Sequence, residues 1–126
     1  MYIDVKNIPA QLFIQLGGIG LPEEVFFRGY LFTRFKNYFG LIKGLVLSSL
    51  FFGVGHLISR ISEYGVEYLM SASIVGFQTL IAGIILGYLL VKAKSIIVPA
   101  SSHILLNIFG VVMSSNFIRL IYSMRL

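Results

Sequence analysis

Side chains that can transfer protons or donate hydrogen bonds recur at a four-residue spacing in this sequence. Three pairs are four residues apart, so the members of each pair share a face of a helix: Glu24 and Arg28, Phe52 and His56, and His103 and Asn107. A carboxylate and a neutral imidazole that face one water can deprotonate it for attack on a carbonyl carbon. A second imidazole and a side-chain amide can donate hydrogen bonds to the oxyanion that forms. These residue types indicate hydrolysis of a peptide bond without a covalent nucleophile.

The pattern also assigns a role to each residue. Glu24 precedes Arg28 by one helical turn, the favourable order for an ion pair, so we expect this pair to be structural. Glu23 lies about 100° further round the same helix and stays free for chemistry. We therefore predict that Glu23 and His56 act on the water. The predicted donors to the oxyanion are His103 and Asn107.

The composition places these residues in a membrane protein. Of the 126 residues, 57% are hydrophobic and only 12% are charged, too few to cover the surface of a soluble domain of this size. The absence of cysteine excludes disulfides, thiolate metal sites and a cysteine nucleophile, and the single Asp4 excludes a paired-aspartate protease. The net charge of +5 comes from scattered basic residues that flank apolar runs. This pattern is typical of membrane proteins, and we expect no nucleic-acid partner.

Charge-free runs predict an all-α, polytopic bundle of about four transmembrane helices that forms a single domain over residues 1–126. The runs cover residues 7–22, 44–59, 68–91 and 95–118. The first helix is expected to continue to about Phe35, and the second to begin near Gly40. Turns are expected near residues 36–43, 60–69 and 92–97. No run alternates like the strands of a membrane barrel, which leaves helices as the way to span the bilayer.

The predicted helices bring the polar side chains to one depth. Each is 13 residues from a lysine near the same membrane face: Glu23 from Lys36, His56 from Lys43 and Asn107 from Lys94. At about 1.5 Å per residue, all lie roughly 20 Å from that face. A single histidine in a membrane is more often a hydrogen bonder between helices, and Phe52 alone is core packing. Their occurrence together at one depth favours a functional site.

The three motifs resemble those of the CPBP family, which comprises the CaaX proteases and bacteriocin-processing enzymes. It is also called the abortive-infection family and includes the type II CaaX prenyl endopeptidases. The motifs are E-E-x-x-x-R from Glu23, F-x-x-x-H from Phe52 and H-x-x-x-N from His103, in family order within residues 23–107.

The resemblance implies an intramembrane glutamate-type endopeptidase that needs no cofactor and cleaves a membrane-associated protein or peptide in the lipid bilayer. It gives the same roles to the four predicted residues and makes Glu24, Arg28 and Phe52 supporting residues. Family members usually have more than four transmembrane helices. We therefore expect a truncated catalytic core, completed by further N-terminal helices or by a homo-oligomer, in a multi-pass protein of a prokaryotic cell membrane.

Two other functions stay open at this point. In a zinc-dependent intramembrane metalloprotease, Glu23, His56 and His103 would hold the metal, although no H-E-x-x-H motif is present. In a non-catalytic bacteriocin self-immunity protein, the same polar pocket would bind a peptide without cutting it. A rhomboid-type serine protease is disfavoured because no G-x-S-x-G surrounds a serine.

Overall fold

The computed structural model describes the backbone of residues 8–123 and the side chains as far as residue 110, and all the regular secondary structure in this part of the chain is helical. The prediction of an all-α fold is confirmed. We number the helices α1 to α5, and α2 is one continuous helix made of three segments. The bounds are Ile8–Gly17 for α1, Gly20–Glu24, Val25–Phe32 and Thr33–Phe39 for α2, Leu41–Tyr64 for α3, Leu69–Ala93 for α4 and Ile97–Ser123 for α5.

The N-terminal apolar run differs from the single helix predicted for it. Helix α1 ends at Gly17, and Ile19 has φ −129° and ψ −77°, outside the helical range. Two successive glycines, Gly17 and Gly18, weaken a helix because glycine loses more backbone freedom than other residues when it becomes helical. The predicted first span is therefore two helices, and α2 continues past the expected end to Phe39.

The middle segment of α2, Val25–Phe32, is a π-helix. In this form each N–H bonds to a carbonyl five residues earlier, instead of four. The hydroxyl of Thr33 donates to the carbonyl oxygen of Arg28 in the same register, at 3.4 Å. Such segments are rare and often occur at functional sites. Here the π-helix carries the buried Arg28.

Glycines allow α3 and α4 to approach each other closely. A Cβ atom on Gly53 of α3 would lie 2.5 Å from the carbonyl oxygen of Gly76 in α4. A Cβ atom on Gly83 of α4 would lie 3.0 Å from the Cβ atom of Ser49 in α3. Gly83 and Gly87, which form a G-x-x-x-G spacing, both lie where α4 packs closely on α3.

Two stretches of the described chain are long and apolar enough to cross a bilayer: Leu41–Tyr64 and Val66–Ala93. The apolar stretch Ile97–Gly110 in α5 is shorter. Helix α5 packs against α2 and α4, and α1 packs against both α2 and α5. Side chains from α2, α3 and α5 can therefore meet, with α1 beside them.

Candidate active site

A buried ion pair lies at the bottom of the site. Nη1 of Arg28 lies 3.0 Å from Oε1 of Glu24, and the two side chains are only 2% and 0% exposed. The guanidinium carbon of Arg28 also lies 4.3 Å from the centre of the Phe52 ring, a cation–π contact. The pair predicted from the spacing is present, and the Phe52 ring packs against it.

Helix α5 adds His103 to this pair, a contact that the spacing did not predict. Nδ1 of His103 lies 2.8 Å from Oε1 of Glu24, and the imidazole is buried. Its ring meets the Phe52 ring edge-on, at 88° and 5.7 Å between centres. Because an ionised carboxylate only accepts hydrogen bonds, Nδ1 donates to Glu24. Nε2 of His103 is left for a second partner.

Glu23 and His56 form the accessible side of the site. Their side chains are 28% and 29% exposed, in contrast to the fully buried Glu24. Nδ1 of His56 lies 3.0 Å from the carbonyl oxygen of Phe52, an acceptor, so Nδ1 carries the proton. In the neutral ring, Nε2 of His56 is then a hydrogen-bond acceptor.

Both histidines present Nε2 to the same oxygen of Glu23. Nε2 of His56 lies 3.9 Å from Oε2 of Glu23, and Nε2 of His103 lies 3.7 Å from it. These distances are too long for direct hydrogen bonds. Oε2 is itself buried and accepts no hydrogen bond from the described part of the protein. The three atoms are therefore arranged to share a small polar molecule between them.

The accessible side of the site opens into a cleft of about 230 Å³. Its lining residues are Glu23, Phe27, Gly55, His56 and Ser59. Water in the liquid occupies about 30 Å³ per molecule, so the cleft has room for several waters or part of an extended peptide. A second, apolar groove of about 250 Å³ lies between α3 and α4 and is lined by other residues.

Asn107 follows His103 by one turn of α5 and bonds to α1. Its Nδ2 donates to Oε1 of Gln15 at 2.9 Å, and Gln15 is buried. The structure thus groups Glu23, His56 and His103 directly, with Asn107 adjacent along α5. Gln15 was missed in the sequence because it lies in an apolar run outside the motifs. The sequence feature that could have identified Gln15 is its polar amide side chain among apolar neighbours.

The side chains of the described site also bear on the zinc hypothesis. In the part of the chain that the structure describes, no three His, Cys, Asp or Glu side chains form a group that could hold a metal ion. Glu24 binds Nδ1 of His103, the ring nitrogen that does not face Glu23. A carboxylate in this position orients a histidine ring both in metal sites and in proton-transfer sites. Asn107 separates the two hypotheses, because it has no role as a zinc ligand.

Residues 6–109 match the protein family described as Rce1-like, type II CAAX prenyl endopeptidase Rce1-like. This chain belongs to the Rce1-like family. The resemblance drawn from the three motifs is confirmed, and the match extends it beyond residues 23–107 to include α1 and Gln15. The chain is accordingly a protease of a membrane-embedded family. Neither the curated proteins nor the solved structures gave a match.

Proposed function

We propose that this Rce1-like chain is an intramembrane endopeptidase that cleaves a prenylated, membrane-associated protein or peptide with a water activated by Glu23 and His56. The name of the family supports this choice of substrate class. One observation carries the proposal: Nε2 of both histidines faces Oε2 of Glu23 beside an open cleft. The adjacent Glu24 is buried and already bound to Arg28 and His103.

The first step uses Glu23 as the base. The water transfers one proton to Oε2 of Glu23. Its other hydrogen stays on the oxygen and forms a hydrogen bond to Nε2 of His56, which is an acceptor because Nδ1 donates to the carbonyl oxygen of Phe52. The water oxygen forms a bond to the substrate carbonyl carbon, and the carbonyl electrons move to oxygen as an oxyanion. Glu23 then gives its proton to the amide nitrogen, and the C–N bond breaks. The products are an acid and an amine, and Glu23 is again ionised.

His103 and Asn107 stabilise the oxyanion in this mechanism. For Nε2 of His103 to donate while Nδ1 donates to Glu24, the ring carries both protons. Donors fixed in place before the reaction cost no reorganisation when charge develops.

We also propose a multi-pass arrangement in which α3 and α4 cross the bilayer. Their length and composition support it. The large apolar side chains exposed on the described helices, such as Ile42, Met70 and Phe77, then contact lipid.

Cleavage of a farnesylated fluorogenic peptide ending in a CaaX sequence tests this function. The purified protein in liposomes is expected to give two products whose masses identify one broken peptide bond. Glu63→Gln, a change at an exposed glutamate on α3, is the control and should leave the rate unchanged. His56→Ala should remove activity.

The other outcomes separate the competing functions. Peptide binding by the wild-type protein without any product would favour the non-catalytic peptide-binding protein. Equal product formation by the wild-type protein and His56→Ala would contradict the proposed role of His56 in the reaction.

A further inference from the structure

Gln15 is a buried polar side chain that the proposed reaction does not use. It lies on α1, outside all three motifs, and is 6% exposed. Oε1 of Gln15 accepts a hydrogen bond from Nδ2 of Asn107, a residue 92 positions away on α5. A buried amide in apolar surroundings is costly unless it is hydrogen-bonded. The contact with Asn107 therefore accounts for the burial of Gln15.

The neighbouring residue Gly20 keeps space for this contact. A Cβ atom on Gly20 would lie 3.0 Å from Oε1 of Gln15 and 2.7 Å from Cγ1 of Ile104. Because Gly20 has no side chain, the start of α2 leaves room for the Gln15 amide to reach α5. Gly20 thus lies beside both Gln15 and Ile104, a residue between His103 and Asn107 in the α5 sequence.

We propose that Gln15 is a positioning residue that fixes the Asn107 amide for oxyanion binding, an inference that rests on the proposed function. An asparagine amide can rotate about its terminal side-chain bond, and this rotation moves both of its N–H groups. When Gln15 accepts one N–H, the plane of the amide is set and the second N–H has a defined direction. Oxyanion donors act through such fixed geometry. Helix α1 then contributes to the active site through Gln15.

Gln15→Met tests this role because it keeps the length of the side chain but removes the acceptor. We expect turnover of the farnesylated peptide to fall on the order of tenfold, the effect of one net hydrogen bond on the barrier, with KM changed by less than about twofold. Gln11→Met, the same substitution one turn earlier on α1, is the matched control and should keep wild-type turnover.

A double-mutant cycle separates positioning from a general structural effect. If Gln15 acts through Asn107, then Gln15→Met should cause no further loss in an Asn107→Ala background. An equal loss in both backgrounds overturns the positioning role. So does a Gln15→Met protein as active as Gln11→Met. If Gln15→Met does not fold, Gln15→Asn serves instead, since it keeps an amide but shortens it by one methylene, and the same loss is expected.

The NMR signal of the Asn107 amide tests the contact with Gln15 without a measurement of activity. In protein labelled with ¹⁵N at asparagine side chains, the Asn107 amide signal is identified by its loss in Asn107→Ala. Gln15→Met should shift this signal and Gln11→Met should not; an unmoved signal overturns the inference. A wild-type protein that cleaves nothing contradicts the proposed function instead, and the amide signal still decides whether Gln15 holds Asn107.

Discussion

Two adjacent glutamates have opposite surroundings in this protein. Glu24 points into the bundle, where Arg28 and His103 bind it, and it is fully buried. Glu23 points about 100° away on the same helix, toward the cleft, and Oε2 faces Nε2 of His56 and of His103. The same side chain is thus a buried ion-pair partner at one position and, in the proposed mechanism, the base at the next.

Removal of the Glu24 carboxylate should destabilise the fold. Glu24→Ala leaves Arg28 as an uncompensated buried charge and removes the acceptor of His103 Nδ1. Breaking a buried pair in this way costs about 3–5 kcal/mol. Thermal unfolding in detergent should show a large fall in Tm, accompanied by a lower yield of folded protein.

The double variant Glu24→Gln with Arg28→Gln provides the control for charge. It removes both charges while keeping similar side-chain volumes, so part of the lost stability should return. A double variant no more stable than Glu24→Ala would show that the ion pair does not explain the effect.

Asn107 distinguishes water activation from zinc chemistry. If Asn107 donates to the oxyanion, it stabilises the transition state. Asn107→Ala should then lower turnover by roughly 10²–10³-fold with little effect on substrate binding. The protein should also retain activity in a chelator and contain no stoichiometric zinc by metal analysis. An Asn107→Ala enzyme with near-normal activity that is lost in chelator would favour the metalloprotease.

At the scale of the helices, the crossing of α3 and α4 depends on Gly53. Gly53→Ala places a methyl group against the carbonyl oxygen of Gly76, and such overpacking typically costs about 1–3 kcal/mol. Gly29→Ala is a matched control, because its methyl group would lie 3.9 Å from Ile96, an ordinary contact distance. Thermal unfolding should show a lower Tm for Gly53→Ala only. Equal effects of the two variants would contradict this account of the crossing.

The sequence predicted contacts within a helix better than contacts between helices. Four-residue spacing predicted the Glu24–Arg28 pair, because neighbours on one helical face follow from the helical repeat. The hydrogen bond between His103 and Glu24 spans 79 positions and depends on how α5 packs on α2, which no local spacing encodes.

The shape of the first predicted span was the main difference at this scale. Charge-free runs locate apolar stretches but do not show where a helix breaks, so the separation of α1 from α2 after Gly17 was not predicted. The π-helical segment Val25–Phe32 also has no signal in the apolar pattern. The position of Gln15 follows from that break, since α1 packs on α5 as a separate helix.

At the scale of the whole molecule, the described helices expose large apolar side chains on many sides, including Phe13, Ile42 and Met70. A soluble protein rarely exposes so much apolar surface, whereas lipid covers it in a membrane. The protein should therefore remain in the membrane fraction after alkaline carbonate extraction and be released only by detergent. Release by carbonate alone would contradict insertion into the bilayer.

Turnover by Glu23→Gln is the most direct test of water activation by Glu23. Glutamine keeps the shape of the side chain but does not accept a proton, so the rate of peptide hydrolysis should fall by about 10²–10⁴-fold. Tm and substrate binding should stay near the wild-type values, and Glu63→Gln should stay fully active. Near-normal turnover by a folded Glu23→Gln protein would contradict the mechanism.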